Sequence, residues 1–252
     1  MQLVIGNKNY SSWSMRPWVL MKQLGLPFEE VKLRFDFSPG SPFRQAVARL
    51  SPAGQVPVLV DDGGHAVWDS LAIIETLAEA DAAVWPAERR ARARARSVVA
   101  EMHSGFSALR SHCPMNIEAR LPEVGARVWA EQAAVRGDVG RIEALFAEAL
   151  QASGGPFLFG SFSAADAMYA PVCMRFVSYA LPVSGLTLAY MQRIAAAPGV
   201  AAWIADALAE ADFFGEDEPY RTARTPHGLS TPHTPHTPHT LAVPGTPETP
   251  PG

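Results

Sequence analysis

The strand signals of this chain stop at Trp85-Pro86, and that change of texture limits what its 252 residues can fold into more than any other feature. Before it, short apolar runs alternate with helical stretches. Leu3-Val4-Ile5 is a strand-length run closed by Gly6. Ser14 to Leu24 places apolar residues at 18, 20, 21 and 24, the spacing of a helix. Pro17 is tolerated in its first turn, where no intrahelical N–H bond is lost, and Gly25 supplies the stop. Glu29 to Leu33 alternates Val31 and Leu33 with charges, as a half-buried strand does, and Pro42 to Leu50 predicts a second helix. Pro57-Val58-Leu59-Val60 and Ala66-Val67-Trp68 flank Asp61-Asp62-Gly63-Gly64, a hairpin signal. Leu71 to Ala80 then sets Leu71, Ile74, Leu77 and Ala78 on one helical face. The order β-α-β-α-β-β-α predicts a mixed sheet with helices packed on it.

Beyond residue 86 the alanine-rich stretches 87–110, 123–151, 163–180 and 187–211 have helical periodicity. Pro114, Gly154-Gly155-Pro156, Pro182 and Pro198 punctuate them, so the second half is expected to be an all-α helical bundle. Expected domains are therefore residues 1–81 and 86–218. From 220 to 252 the composition shifts to proline, threonine and histidine, with Thr231-Pro232-His233 repeated twice more through His239. Such a segment has too little apolar surface to bury and is expected to be disordered. His233, His236 and His239 have a weak potential for metal, but a solvated tail is the preferred reading, and no metal is expected.

Several function classes fall away. Hydrophobic residues make up 48% of the chain and the net charge is −4, so no global field favours nucleic acid or an acidic membrane. The run Arg89-Arg90-Ala91-Arg92-Ala93-Arg94-Ala95-Arg96 spreads its charge around several helical faces without interleaved aromatics, which fits a solvated helix contributing to a dimer surface. No apolar run reaches bilayer length, and the first residues lack a secretory pattern. The only cysteines, Cys113 and Cys173, form neither CxxC nor a metal spacing. A cytoplasmic protein is the expectation.

Chemistry is expected where the first strand runs into the first helix, at Asn7 to Arg16. Ligands of open α/β sheets bind at the C-terminal ends of strands, and helix N-termini favour anions. The Ser11, Ser12 and Ser14 hydroxyls could donate to such a ligand; alternatively Ser12 or Ser14 merely caps the helix. Gln55-Val56-Pro57 puts a proline at a strand start, where a cis bond would turn the Val56 backbone outward to pair with an extended peptide. Asp69-Ser70 precedes the helix at Leu71, and either caps it or holds a carboxylate.

Taken together, Ser11-Ser12-Trp13-Ser14-Met15-Arg16, Gln55-Val56-Pro57, Asp69-Ser70-Leu71-Ala72-Ile73-Ile74-Glu75 and a helical second half resemble the glutathione transferases, most closely their zeta-like branch. Ser163-Ala164-Ala165-Asp166, a capping box in form, adds to the likeness, which covers residues 1 to about 215. The resemblance implies a thioredoxin-like N-terminal domain, glutathione as co-substrate and a homodimer. It implies that the Ser11 hydroxyl holds the glutathione sulfur as thiolate, with Ser12 and Tyr10 as alternatives. Val56 beside Pro57 would pair with the cysteinyl portion, and Asp69 and Ser70 would hold the γ-glutamyl end, with Ser12 and Gln55 close by. Trp13, His103, Phe106 and Arg110 are candidates for the cleft of the second substrate, the last three because they share a helical face. The zeta pattern has cysteine where this chain has Trp13, which disfavours maleylacetoacetate isomerisation, and no cysteine stands in the loop for thiol-disulfide exchange. The implied activity is conjugation of glutathione to a small, mostly apolar electrophile. The alternatives are a non-catalytic binding or interaction module and a glutathione-dependent isomerase.

Overall fold

The computed structural model describes residues 1–223, so the Thr-Pro-His repeats lie outside the described residues. Four strands form one sheet in the order β2-β1-β3-β4. β1 (Gln2–Ile5) is central and pairs parallel with β2 (Glu29–Lys32), Val4 opposite Val31. On its other side it runs antiparallel to β3 (Val58–Val60), Leu3 opposite Leu59, and β3 continues antiparallel to β4 (Ala66–Val67). Leu3, Val4 and Ile5 are all buried, which is why β1 is an unbroken apolar run and not an alternating one. The β3–β4 turn is templated by Asp61, whose Oδ1 accepts the N–H groups of Gly63 (2.8 Å) and His65 (2.9 Å).

α1 (Ser12–Leu24) follows β1, two residues ahead of the expected start. Gly25, at φ 70°, ends it in the left-handed conformation and donates its N–H to the last turn. α2 (Pro42–Leu50) is capped by Ser41, whose Oγ accepts the Arg44 N–H at 3.2 Å. α3 (Ser70–Ala80) is capped by Asp69. The expected mixed sheet with flanking helices is therefore present.

Among the described residues seven α-helices make the second half: α4 (Arg89–Ser104), α5 (Ser107–His112), α6 (Pro122–Glu131), α7 (Ala133–Ser153), α8 (Ala164–Ser178), α9 (Gly185–Ala196) and α10 (Pro198–Glu210). Three expected stretches are thus each split in two. The first breaks at Gly105, where a Cβ would lie 2.7 Å from the Glu101 carbonyl oxygen, and Phe106 then turns to φ 55°. The stretch 123–151 parts at Gln132, and 187–211 parts at Ala197 ahead of Pro198. α8 is the spine of the bundle, buried along almost its whole length. Its start is fixed by Asp166, which accepts the Ser163 N–H (3.0 Å), the Leu158 N–H (3.0 Å) and the Tyr190 hydroxyl (2.9 Å). Burial raises this carboxyl to about 6 in spite of those bonds.

The halves are joined through α1, which packs on α8 and α10. At the α10 crossing Gly199 allows close approach: a Cβ there would lie 2.6 Å from the Val19 carbonyl oxygen. Trp18 and Trp203 meet edge to face at 5.2 Å, and Lys8 lies over Trp18 while pairing with Glu30 and Asp206. In the arginine run at the start of α4, Arg92 donates to the carbonyls of Pro86 and Ala87, Arg94 pairs with Glu148 and Arg96 with Glu75. Residues past α10 return to the N-terminal half. Tyr220 donates to the His112 carbonyl (2.9 Å) and Arg221 pairs with Glu218, so packed structure continues past the boundary expected at 220. Among the described residues no helix is long and apolar enough to cross a membrane.

Candidate active site

The loop between β1 and α1 is set by its neighbours in the helical half. Asn7, Lys8, Asn9 and Tyr10 are all buried. Asn7 accepts the Phe35 N–H (2.7 Å) and donates to Asp212 (2.9 Å). Asn9 donates to Asn116 (3.0 Å) and accepts the Glu118 N–H (2.8 Å). The Lys8 carbonyl accepts the Trp203 indole N–H at 3.0 Å. The loop delivers Ser11 and Ser12 to the start of α1, where both are buried and neither simply caps the helix. Ser11 makes no side-chain capping bond; its Oγ lies 2.7 Å from the Ser14 Oγ, which accepts the Gly6 N–H at 3.3 Å. Ser12 Oγ accepts from Arg175 Nη2 at 3.1 Å, and Arg175 also donates to the Cys113 carbonyl.

Two cavities meet here. The larger, about 660 Å³, is lined by Tyr10, Ser11, Ser12 and Trp13 on one side and by Arg110, Pro114, Met115, Arg175 and Asp217 of the helical half on the other; Phe35, Phe37, Phe43 and Arg44 add an aromatic and basic wall. Its size is that of a small-molecule site. The smaller, about 90 Å³, is lined by Trp13, Ala53, Gln55, Val56, Pro57, Trp68, Asp69 and Ser70. Trp13, Ala53, Gln55 and Val56 border both, so the two form one bent cleft. The Val56-Pro57 bond is cis. Asp69 Oδ1 accepts the Leu71 N–H at 2.9 Å, while its Oδ2 lies 3.1 Å from His103 Nε2. Ser70 is fully buried, and its Oγ has no hydrogen-bond partner.

Three arginines gather beside the cleft. Arg16 is 1% exposed, its Nε and Nη1 make no hydrogen bond, and its guanidinium stacks 3.9 Å from the Trp13 ring. Arg110 approaches the same ring at 5.3 Å. Burial, then the nearby Arg175 and Arg110, pull Arg16 down to about 9; burial brings Arg175 to about 10. Two buried guanidinium groups, Arg16 and Arg175, with the half-buried Arg110 beside them, favour an anion in the cleft. Asp217 is the carboxyl among the lining residues of the large cavity, and burial beside Glu216 and Glu218 raises it to about 6 against the pull of Arg175.

The expected site residues are not all brought together. Ser11, Ser12, Trp13, Gln55, Val56, Pro57, Asp69, Ser70 and Arg110 line one cavity or both. Tyr10 lines the large one, but its hydroxyl is engaged: it donates to Glu218 (2.7 Å) and accepts the Phe214 N–H (3.2 Å), and burial pushes it up to about 12. Phe106 lies in the core against Tyr169 and lines neither cavity. The helical face it was to share with His103 and Arg110 does not exist, because the helix breaks at Gly105. His103 stacks edge-on against Trp13 at 5.3 Å behind the lining. Cys113 and Cys173 are buried, and burial pushes the Cys113 thiol up to about 12, away from reactivity. Arg16, Arg175 and Asp217 were not singled out from the sequence; the only hint was the arginine that closes the serine-rich run.

A β-α-β-α-β-β-α unit whose central first strand pairs parallel on one side and antiparallel on the other, followed by a helical bundle that supplies the far wall of its cleft, defines a two-domain protein of the thioredoxin-fold class. Family comparison agrees: residues 10–80 match the glutathione S-transferase N-terminal domain, and residues 128–206 match the glutathione S-transferase C-terminal domain. The two matches together span more than half of the chain, which belongs to the glutathione transferase family. Among solved structures it is similar to a glutathione transferase homolog from Burkholderia GL BGR1 with bound glutathione, at 25% identity and TM-score 0.60 over 82% of this chain and 96% of that one. A sphingomonad glutathione S-transferase complexed with glutathione is 23% identical, with TM-score 0.57 over 82% and 98%. Ure2p in complex with glutathione shares the fold at 16% identity, with TM-score 0.62 over 80% and 97%. No curated protein matches the sequence.

Proposed function

We propose that this chain is a serine-type glutathione transferase that adds the glutathione thiolate to a small, mostly apolar electrophile. The observation that carries the reading is the Ser11 hydroxyl, buried on the wall of the large cavity two residues ahead of Trp13, which borders both cavities. The γ-glutamyl end of glutathione occupies the small cavity, with Asp69 Oδ2 facing the ammonium and the partnerless Ser70 hydroxyl facing the carboxylate. Its cysteinyl main chain pairs with Val56, which extends the sulfur into the large cavity toward Ser11.

The Ser11–Ser14 bond suits this task. A hydroxyl both donates and accepts, so reversing that bond leaves the Ser11 proton free for sulfur while Ser14 still accepts from Gly6. One hydrogen bond to a charged acceptor contributes about 1.5–3 kcal/mol, enough to lower a thiol from ~8.5 by roughly one to two units. Arg16, Arg110 and Arg175 act in the same direction. The thiol proton leaves to solvent, sulfur bonds to the electrophilic carbon, and a displaced group departs as an anion into the same positive field. Phe35, Phe37 and Phe43 offer the electrophile an apolar wall.

The test is a glutathione titration at neutral pH that follows thiolate ultraviolet absorption beside binding heat, with Ser11→Ala and Tyr10→Phe in parallel. A thiolate signal lost in Ser11→Ala and kept in Tyr10→Phe is expected. Binding without a thiolate signal would leave a glutathione-binding module of the same fold, and no binding would remove glutathione from the account.

A further inference from the structure

We propose that His103, although it belongs to the helical half, is a positioning residue of the glutathione site: it orients Asp69 for the γ-glutamyl ammonium and takes no part in the electrophile cleft. This rests on the transferase reading above. Asp69 has two oxygens and two duties. Its Oδ1 is committed to the start of α3, accepting the Leu71 N–H at 2.9 Å. Oδ2 is the oxygen that remains for a ligand, and His103 Nε2 reaches it at 3.1 Å. A carboxylate oxygen has two lone pairs, so it accepts from the imidazole and from an ammonium together. With one oxygen bound to the helix and the other 3.1 Å from the His103 imidazole, the carboxylate has a neighbour on each side before ligand arrives.

The imidazole is itself held firmly. It sits in the last turn of α4 and stands edge-on to Trp13, with centroids 5.3 Å apart and planes at 77°. Its Nδ1 is buried and has no hydrogen-bond partner, so the polar neighbour of the ring is Asp69, 3.1 Å from Nε2. His103 contributes its carbonyl to Arg110 as well, at 3.3 Å. The contact with Asp69 crosses from the helical half to the thioredoxin-like half, so α4 reaches the back of the γ-glutamyl seat. Neither cavity is lined by His103, which separates it from residues that would touch the electrophile.

The experiment measures glutathione binding and steady-state kinetics on the full chain for the wild type, His103→Ala, His103→Gln, Asp69→Asn and the double variant His103→Ala/Asp69→Asn. Binding is repeated with a glutathione analogue lacking the α-amino group, and thermal unfolding checks that each variant is folded. His103→Ala is expected to raise the glutathione Kd and KM by about three- to tenfold, the range of a partly exposed charge-assisted bond. Turnover at saturating glutathione and the electrophile KM stay at the wild-type level. His103→Gln, which restores a donor, recovers most of the loss. In the Asp69→Asn background His103→Ala adds nothing, and the deaminated analogue binds wild type and His103→Ala alike. An equal loss for glutathione and the analogue would make His103 merely structural and overturn the proposal. A raised electrophile KM with unchanged glutathione affinity would return His103 to the electrophile cleft. Wild type that binds neither ligand would overturn the transferase reading and this proposal with it, an outcome separable from the first two.

Discussion

The Tyr10 hydroxyl donates to Glu218 Oε1 at 2.7 Å, a bond between residues 208 positions apart that fastens the C-terminal segment over the loop carrying Ser11. Asn116 and Arg221 hold the same carboxylate, and Phe214 packs beside Tyr10 with its N–H directed at the phenol oxygen. The tyrosine nearest the serine run is thus a structural tie, spent before any ligand arrives. Tyr10→Phe leaves Glu218 with its other partners but strands the Phe214 N–H, a loss of about 1–3 kcal/mol. Urea unfolding of Tyr10→Phe should show that loss, while the same sample retains the thiolate signal with glutathione. An unchanged unfolding midpoint together with a lost thiolate signal would make Tyr10 the sulfur's partner.

The α1–α10 crossing is tight at one atom. Gly199→Ala puts a Cβ 2.6 Å from the Val19 carbonyl oxygen, and backbone on both sides cannot yield as a flexible side chain would. The expected cost is about 1–3 kcal/mol, the usual toll of overpacking. Because Val19 lies in the helix that begins at the serines, glutathione affinity should fall as well. Gly137→Ala, where a Cβ would meet nothing within 4 Å on the exposed side of α7, is the control: it should lose no stability and gain about 0.5–1 kcal/mol from the better helix former.

Asp166 gathers two backbone N–H groups and the Tyr190 hydroxyl in a site closed to water. Asp166→Ala leaves all of these without their acceptor, and about 2–5 kcal/mol of stability should be lost. Guanidinium unfolding reads this directly, and a loss below about 1 kcal/mol would mean that the start of α8 is held by packing instead.

Asp217 gives stability a pH dependence whose sign follows from burial. Its carboxyl is raised from 3.8 to about 6 in the folded chain, first by burial and then by Glu216 and Glu218, with Arg175 opposing. A raised folded pKa means that the folded state binds the proton more tightly than the unfolded one. Its contribution to stability is therefore full below pH 3.8 and is lost as pH rises through about 6. Asp217→Asn removes the ionisation, so it should stabilise the protein at pH 7.5 and lose that advantage on going down to pH about 4.5. Melting curves at the two pH values decide it; a variant less stable than wild type at pH 7.5 would show that the Arg175 attraction outweighs burial.

What could be read from the chain follows how local each cause is. β1, the Asp61-to-Gly64 turn, the Gly25 stop and the Asp69 cap are each written within a few residues, and they carry the expectation of a mixed sheet; the strand order β2-β1-β3-β4 is set by pairing between distant segments. Asn7, Lys8 and Asn9 read as a polar connector because the partners that bury them, Asn116, Trp203, Asp206 and Asp212, stand more than 100 positions away. Arg16 and Arg175 carry no mark of burial either, since a guanidinium at an apolar helical position is equally consistent with a side chain that reaches solvent. Phe106 was misplaced by a period that held on paper through residue 110 while the backbone turned at Gly105. Ser11, Val56, Asp69 and Ser70 were legible as one site only because four weak local signals fell in family order; their distances to one another are set by the fold.

Trp13 is the residue through which the rest of the site is coupled. Its ring faces Arg16 at 3.9 Å and Arg110 at 5.3 Å, meets His103 edge-on, and borders both cavities. Trp13→Leu keeps an apolar side chain but removes the π face that offsets the charge of a buried guanidinium, so about 1–2 kcal/mol of stability should go. With the partition between the cavities reduced, glutathione should bind more weakly and bulkier electrophiles should gain in kcat/KM relative to small ones. A panel of electrophiles of increasing ring size, run beside thermal unfolding, checks both parts. If glutathione affinity and size preference both stay at wild-type values while stability falls, Trp13 serves only to shield Arg16, and the cavities are kept apart by Gln55 and Val56 alone.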